Sequence, residues 1–140
     1  LMKQTLVEVD DKIKASNLKI RTTFPEEKLI LKLDSQRTFR VFENLLINIS
    51  KYAMEYSRVY IDIISESEFV KISFRNMTAE EIDFDVEDLV ERFVRGDKSR
   101  NTEGSGLGLA IAKSFIELQG GTFNVSTDGD LFKVVITLKK

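Results

Sequence analysis

One stretch of the sequence decides the fold: Thr102-Glu103-Gly104-Ser105-Gly106-Leu107-Gly108-Leu109-Ala110, followed directly by a helical pattern. Three glycines at alternate positions leave backbone that a bulky anion can approach closely. The apolar residues that follow recur at helical spacing as far as Gly120-Gly121. Such a turn points free N–H groups and the positive end of a helix dipole at one place, which favours a phosphate site. A glycine turn that merely caps a helix is the alternative.

Composition restricts the function classes that remain. The 140 residues suit one domain, residues 1–140, and the first residue, Leu1, suggests a piece of a longer protein. A net charge of −2 gives nucleic acid no support as a partner. The absence of cysteine and histidine excludes thiolate chemistry, a Ser-His-Asp triad and a phosphorylated histidine within this chain. No apolar run approaches the ~20 residues of a membrane span.

Hydrophobic periodicity predicts a mixture of strands and helices. The result is an α+β domain, a largely antiparallel sheet with helices on one face. The predicted strands are Leu18–Thr22, Leu29–Leu33, Ser57–Ser65, Phe69–Arg75, Gly121–Ser126 and Leu131–Leu138, and the predicted helices are Ser35–Met54, Val86–Phe93 and residues 106–119, with a weak helical pattern over Lys3–Ser16.

The longest helix carries the first polar constellation. With Asn44 as zero on a helical wheel, Asn48 falls near ~40° and Lys51 near ~−20°, which we expect to lie opposite the apolar stripe. A solvated polar face would explain this pattern equally well. Asparagine is nevertheless a poor helix former in mid-helix, an amide oxygen suits Mg²⁺, and a lysine suits phosphate.

The second constellation is basic. Four basic residues lie within Glu91–Arg100, directly before the glycine run. A solvent-exposed charged loop without a binding function would also explain this segment. Its position favours a basic cover over a nucleotide, and the few apolar residues of Val94–Gly104 predict a mobile lid.

Three segments together resemble one known domain. Arg40–Tyr52 resembles the N box of the histidine-kinase catalytic domain, which belongs to the Bergerat-type (GHKL) ATPase superfamily. Glu91–Asp97 resembles its F box, and Gly104–Ala112 resembles its G2 box. The three segments occur in the same order as in the family. Their sequences most resemble those of sensor kinases of Gram-positive bacteria.

The resemblance implies a two-layer α/β sandwich, with a mixed five-stranded sheet and about three helices on one face. It also implies that ATP and Mg²⁺ are bound. Asn48 would hold Mg²⁺, while Asn44, Lys51 and Arg95 would act at the phosphates. The full nucleotide-binding set carried over by position is Asn44, Asn48, Lys51, Tyr52, Asn76, Phe93, Arg95, Gly104, Gly106, Leu107, Gly108 and Leu109.

The implied reaction is transfer of the ATP γ-phosphoryl group to a histidine on a separate dimerisation domain. A response regulator would then receive the phosphoryl group on an aspartate. Residues 1–16 would be a helical linker from the dimerisation domain, and the full-length protein would be a homodimer. This domain would be cytoplasmic with no membrane contact of its own, within a protein attached to the cell membrane.

One box departs from the family pattern. The family's G1 box reads Asp-x-Gly-x-Gly, and counting back about 17 residues from Phe93 reaches Asn76. Thr78 and Glu80 occupy the two glycine positions. Asn76 offers adenine a carbonyl acceptor without charge, so we expect weaker ATP binding and weaker discrimination against GTP.

Three other functions are compatible with parts of the pattern. A serine kinase of the anti-sigma-factor type shares the fold and needs no histidine in its own domain. A nucleotide-blind module that binds proteins would explain the altered G1 box. An ATPase coupled to dimer closure would need a water-activating base, for which Glu43 is the one candidate in the helix.

Overall fold

The computed structural model describes residues 1–26, 31, 33–79 and 107–140, with only the backbone for 107 and 108. The last two strands form a hairpin, and four helices and five strands are present in the described part. They are α1 (Met2–Glu8), α2 (Asp10–Ala15), β1 (Lys19–Thr23), α3 (Ser35–Tyr52), β2 (Arg58–Ser65), β3 (Phe69–Met77), α4 (Leu107–Leu118), β4 (Thr122–Asp128) and β5 (Leu131–Lys139).

The strands form one five-stranded sheet in the order β1-β2-β3-β5-β4. β1 and β2 run parallel, and every other neighbouring pair is antiparallel. The parallel pair requires a crossover, which α3 supplies between the two strands. The mixed, largely antiparallel sheet predicted from the sequence is therefore confirmed.

The helices cover one face of the sheet. Because side chains alternate along a strand, Val70, Ile72, Phe74 and Asn76 of β3 share a face, and all four are buried. Phe74 meets Phe42 of α3 with ring centroids 6.0 Å apart. The core therefore lies between the inner face of the sheet and the helices.

The ends of α3 are set by specific contacts. Asp34 caps its first turn, since one side-chain oxygen accepts from the backbone N–H of Arg37 at 3.0 Å. Beyond its last turn, Ala53 pairs with Thr78 in an isolated antiparallel bridge. α3 thus ends two residues before the predicted Met54, because the chain there turns to extended backbone beside the end of β3.

Two further segments differ from the predictions. The helical pattern over Lys3–Ser16 forms two short helices separated at Val9, both packed against α3. Of the predicted strand Leu29–Leu33, the structure describes Leu31 and Leu33; neither lies in a strand, and both pack on the core as partly buried side chains. The predicted helix Val86–Phe93 lies outside the described residues. No helix in the described part combines the length and apolarity needed to cross a bilayer.

Candidate functional site

Asn48 is buried in α3 rather than placed on its polar face. Its side chain is 8% exposed, and neither Oδ1 nor Nδ2 has a hydrogen-bond partner among the described residues. The expectation that it lies opposite the apolar stripe was wrong. On the wheel, Val41 falls at about 60° and Asn48 at about 40°, so Asn48 borders the buried stripe and is covered with it.

Asn76 holds the last inward position of β3. Its side chain is 3% exposed, and its Oδ1 has no hydrogen-bond partner in the part of the chain that the structure describes. Its cross-strand neighbours are Val59 on β2 and Phe132 on β5. The sequence prediction ended this strand at Arg75, whereas pairing with both neighbours extends it and turns Asn76 toward the helix layer.

The two asparagines lie at a similar level of the domain. α3 and β3 are joined by the contact between Phe42 and Phe74 and by the bridge just beyond both elements. From that aromatic pair, Asn76 lies about 7 Å along β3 and Asn48 about 9 Å along α3, from the standard rises of strand and helix. A helix and a strand therefore face each other here, and each presents a buried amide oxygen that has no partner among the described residues.

The N-terminus of α4 reaches the same level. Gln119, one residue after α4, contacts Asp34 and Thr38 at the start of α3, and α3 and α4 pack side by side. The two helices therefore run antiparallel. Twelve residues of α4 span about 18 Å, so its first turn lies beside the part of α3 near Asn48. A helix N-terminus at this place supplies free N–H donors and a positive dipole end.

Three other α3 residues of the expected set lie near Asn48. Asn44 is half-buried one turn before it, while Lys51 and Tyr52 are exposed at the end of the helix. Lys51 forms no ion pair with any residue that the structure describes. An ammonium group with no ion pair in the described part of the chain suits phosphate, and phosphate binding by Lys51 stays a prediction of the sequence.

The remaining expected site residues divide into three groups. Leu109 is 4% exposed and belongs to the hydrophobic core, so its side chain packs the domain. Leu107 and Gly108 open α4, where only the backbone is described. The expected site residues outside the described part are Phe93, Arg95, Gly104 and Gly106, together with the predicted lid Val94–Gly104.

Sequence reasoning missed the contact that aligns α3 with α4. Gln119 accepts from the backbone N–H of Asp34 at 3.0 Å through Oε1. Its Nε2 donates to the Thr38 hydroxyl and to the carbonyl of Phe115, both at 3.2 Å. A single glutamine after a helix carries no recognisable sequence signal, because its two partners at the start of α3 lie about 80 residues away in the chain.

The chain matches one family model and many curated sensor proteins. Residues 33–140 match the family described as histidine kinase-, DNA gyrase B- and HSP90-like ATPase. The chain is 37% identical to the probable sensor protein PcoS of Escherichia coli over 72% of this chain and 22% of that protein. It is 33% identical to the sensor histidine kinase WalK of Bacillus subtilis over 77% of this chain and 18% of that protein. The chain thus spans about a fifth of the length of these relatives.

Solved structures match nearly the whole chain. The catalytic domain of the histidine kinase ThkA, in a nucleotide-free form, superposes with a TM-score of 0.82 at 24% identity, covering 99% of this chain and 90% of that one. Full-length ShkA, in complex with AMPPNP, has a TM-score of 0.78 at 19% identity over 98% of this chain and 28% of that one. These likenesses establish the fold. With the family model matching most of its length, the chain belongs to the histidine kinase-, DNA gyrase B- and HSP90-like ATPase family, as an ATP-binding catalytic domain of the sensor histidine kinase type.

Proposed function

We propose that this domain holds Mg-ATP between α3, the inner end of β3 and the N-terminus of α4, and transfers the γ-phosphoryl group to a histidine on a separate dimerisation domain. The observation that carries the location is the pair of buried amides, Asn48 and Asn76, whose oxygens lack partners among the described residues. Buried polar side chains in folded proteins are normally hydrogen-bonded, so atoms without partners indicate a ligand that completes them.

Asn48 fits a magnesium–phosphate ligand on both of its side-chain atoms. A neutral amide oxygen is a hard ligand suited to Mg²⁺, and the amide N–H₂ donates to a phosphate oxygen or to a metal-bound water. Bound Mg²⁺ supplies neutralisation of the charge on the phosphates. Asn48 lies beside the first turn of α4, so cation and phosphate chain would meet where the domain already places donors.

The phosphate chain would be held by groups of opposite charge. Lys51 is exposed and available, and the N–H groups at the start of α4, from Leu107 onward, point out of a helix N-terminus. Asn44 adds a second amide on the same side of α3. We assign Arg95 and Gly106 to the same phosphate site by their positions in the matched motifs.

Asn76 would accept a hydrogen bond from the adenine amino group. Its Oδ1 is buried, faces the helix layer and has no other partner in the described part of the chain. Because this acceptor is a neutral amide, the bond is weaker than one to a carboxylate. Tyr52, half exposed at the end of α3, would lie near the nucleoside.

The reaction follows from these assignments. A ring nitrogen of the acceptor histidine forms a bond to the γ-phosphorus while the bond from that phosphorus to the β–γ bridging oxygen breaks, and ADP leaves. This chain has no histidine, so the acceptor belongs to another domain. In the whole protein, which we propose to be a membrane-attached homodimer, a response regulator would take the phosphoryl group onto an aspartate.

The alternative functions explain less. A nucleotide-blind module has no need for two buried amide oxygens that lack partners among the residues that the structure describes. The curated relatives named above are sensor proteins rather than serine kinases of the anti-sigma-factor type. Glu43, the candidate base of an ATPase, lies 3.8 Å from the guanidinium of Arg40 and is engaged there.

The experiment is phosphoryl transfer from radiolabelled ATP to a separately supplied dimerisation domain of a sensor kinase. Wild-type protein should label the acceptor in the presence of Mg²⁺, and Asn48→Ala should abolish labelling while the circular dichroism spectrum stays unchanged. Full labelling by a correctly folded Asn48→Ala variant would remove Asn48 from the proposed site.

A further inference from the structure

The outer face of the sheet, turned away from the helices, is strongly basic. Side chains of neighbouring strands form cross-strand rows on this face, and one row reads Arg21, Tyr60, Arg75 and Lys133 across β1, β2, β3 and β5. The adjacent row begins with Lys19 and Arg58. We name these five cations the basic belt: Lys19, Arg21, Arg58, Arg75 and Lys133.

The basic belt places like charges directly opposite each other. Lys19 pairs with Arg58 in register, and Arg75 pairs with Lys133. Like charges in such positions destabilise a sheet. Among the described residues, Asp62 is the one acid that forms an ion pair with the belt, to Arg75 at 3.0 Å, and Asp128 at the end of β4 is a second acid on this face. The chain has a net charge of −2, yet its cations are concentrated on this one face, where their mutual repulsion lowers the stability of the sheet.

The composition of the face argues against two kinds of partner. The centres of protein–protein interfaces are depleted in charged residues overall, although arginine is enriched there, whereas this centre is made of five adjacent cations. Binding of single-stranded nucleic acid relies on exposed aromatic platforms. The aromatic ring of the belt, Tyr60, lies under the Arg75 guanidinium at 5.0 Å and is not open for stacking.

The same face ends in exposed apolar side chains. Ile64 is 45% exposed and Phe69 is 38% exposed, beside the β2–β3 turn. Their cross-strand neighbours on this face are Lys71 and Lys139, respectively. Glu66 and Glu68 lie beyond them in the turn itself. Apolar side chains flanked by lysines suit the boundary between lipid headgroups and acyl chains.

We propose that the outer sheet face docks on a bilayer that contains anionic phospholipids, with the basic belt on the phosphates and Ile64 and Phe69 at the acyl boundary. Such a surface offers many phosphates in one plane, which matches cations spread over four strands. Charges beyond about 8 Å are screened at physiological salt, so the belt governs the attraction despite the net charge of −2. This differs from the sequence-based expectation that the domain makes no membrane contact.

The test is co-sedimentation with vesicles of equal parts phosphatidylglycerol and phosphatidylcholine, and with vesicles of phosphatidylcholine alone. The belt variant is Lys19→Gln/Arg21→Gln/Lys133→Gln. The matched control removes the same charge from the helices, as Lys3→Gln/Lys14→Gln/Lys113→Gln. A single-stranded oligonucleotide is titrated in parallel, and thermal unfolding at low salt is measured for each protein.

Wild type and control should bind the anionic vesicles, with binding that falls as salt rises, and the belt variant should bind at least about tenfold more weakly. The belt variant should also melt at a higher temperature than wild type, because opposed like charges are removed. Absence of binding to anionic vesicles, equal losses in both triple variants, or belt-dependent binding of the oligonucleotide alone would each overturn the proposal.

Discussion

A buried amide atom without a partner costs about 1–3 kcal/mol, and among the described residues α3 and β3 each carry a side chain with such an atom. Asn48 leaves both its polar atoms without partners in the described part of the chain, and Asn76 leaves its oxygen so. At the scale of the residue, the proposed site therefore lowers the stability of the nucleotide-free domain. In the proposed site, these side chains are already oriented to bind nucleotide, so no rearrangement is needed when it binds.

Replacing Asn48 with leucine, a side chain of similar shape, should separate stability from function. The variant removes the desolvated amide, so the free energy of unfolding of the nucleotide-free protein should stay within about 0.5 kcal/mol of wild type or rise by about 1 kcal/mol. The stabilisation by Mg-ATP should disappear. Urea unfolding with and without Mg-ATP measures both effects.

Thr38→Val is the matched control on the same helix. Thr38 is also fully buried, but its hydroxyl accepts from Gln119 at 3.2 Å. Thr38→Val removes this hydrogen bond and leaves the side-chain N–H₂ of Gln119 without one of its acceptors. The free energy of unfolding should therefore fall by about 1–2 kcal/mol. If Asn48→Leu destabilised the protein as much as Thr38→Val, the amide of Asn48 would have a structural partner after all.

Asn76→Asp should restore a charged acceptor for the adenine amino group. A charge-assisted hydrogen bond is roughly twice as strong as a neutral one, which predicts a gain of about 1 kcal/mol, or several-fold in ATP affinity. Preference for ATP over GTP should sharpen, because an amide can turn its N–H₂ toward the guanine carbonyl and a carboxylate cannot. Calorimetry with both nucleotides on both proteins measures this. Looser ATP binding by Asn76→Asp would remove Asn76 from the adenine site.

At the scale of the element, the site depends on the alignment of α4 against α3. Gln119 supplies that alignment through bonds to the backbone N–H of Asp34 and to Thr38. Gln119→Ala should lower the free energy of unfolding by about 1–2 kcal/mol, since Thr38 stays buried without its partner. It should also weaken Mg-ATP several-fold, because the first turn of α4 loses its fixed level beside Asn48.

Gln36→Ala serves as the comparison for Gln119→Ala. Gln36 is exposed on α3, and surface substitutions of this kind stay within about 0.5 kcal/mol. Unfolding and nucleotide titration of the two variants side by side measure the difference. Unchanged nucleotide affinity in a destabilised Gln119→Ala protein would show that the contact holds the fold without positioning the site.

Most elements could be predicted because local signals agreed with the tertiary structure. The N-cap at Asp34 and the glycine pair after α4 marked helix ends, and the alternation of Val70, Ile72 and Phe74 marked β3. These signals need only neighbouring residues, so the sequence contains them in full.

The missing features depend on distant parts of the chain. β3 continues to Asn76 because β2 and β5 pair with it there, and no local pattern reports that pairing. The helical wheel gave the angular position of Asn48 correctly, but the prediction that this position is exposed was wrong. Burial there depends on which elements pack against the edge of the apolar stripe, and a wheel contains no such information. The contact from Gln119 to the start of α3 also could not be predicted from neighbouring residues in the sequence.

At the scale of the whole molecule, the proposed chemistry and the proposed docking surface lie on opposite sides of the sheet. The amides face the helix layer, whereas the basic belt faces away from it. Membrane binding should therefore leave Mg-ATP affinity within about twofold of its value in solution, as expected for independent sites without a coupling free energy. Calorimetry with and without anionic vesicles measures it. A tenfold change would show that the two faces are coupled.

NMR of the side-chain amide signals in the whole domain can show whether Asn48 and Asn76 are ligands of Mg-ATP. Asn124, exposed on the outer edge strand β4, is the internal control. A non-hydrolysable ATP analogue with Mg²⁺ should shift the signals of Asn48 and Asn76 and leave Asn124 in place, and exchange of Mg²⁺ for paramagnetic Mn²⁺ should broaden Asn48 most. Saturation with nucleotide that leaves both buried amides unshifted, or Mn²⁺ broadening that spares Asn48, would contradict the account.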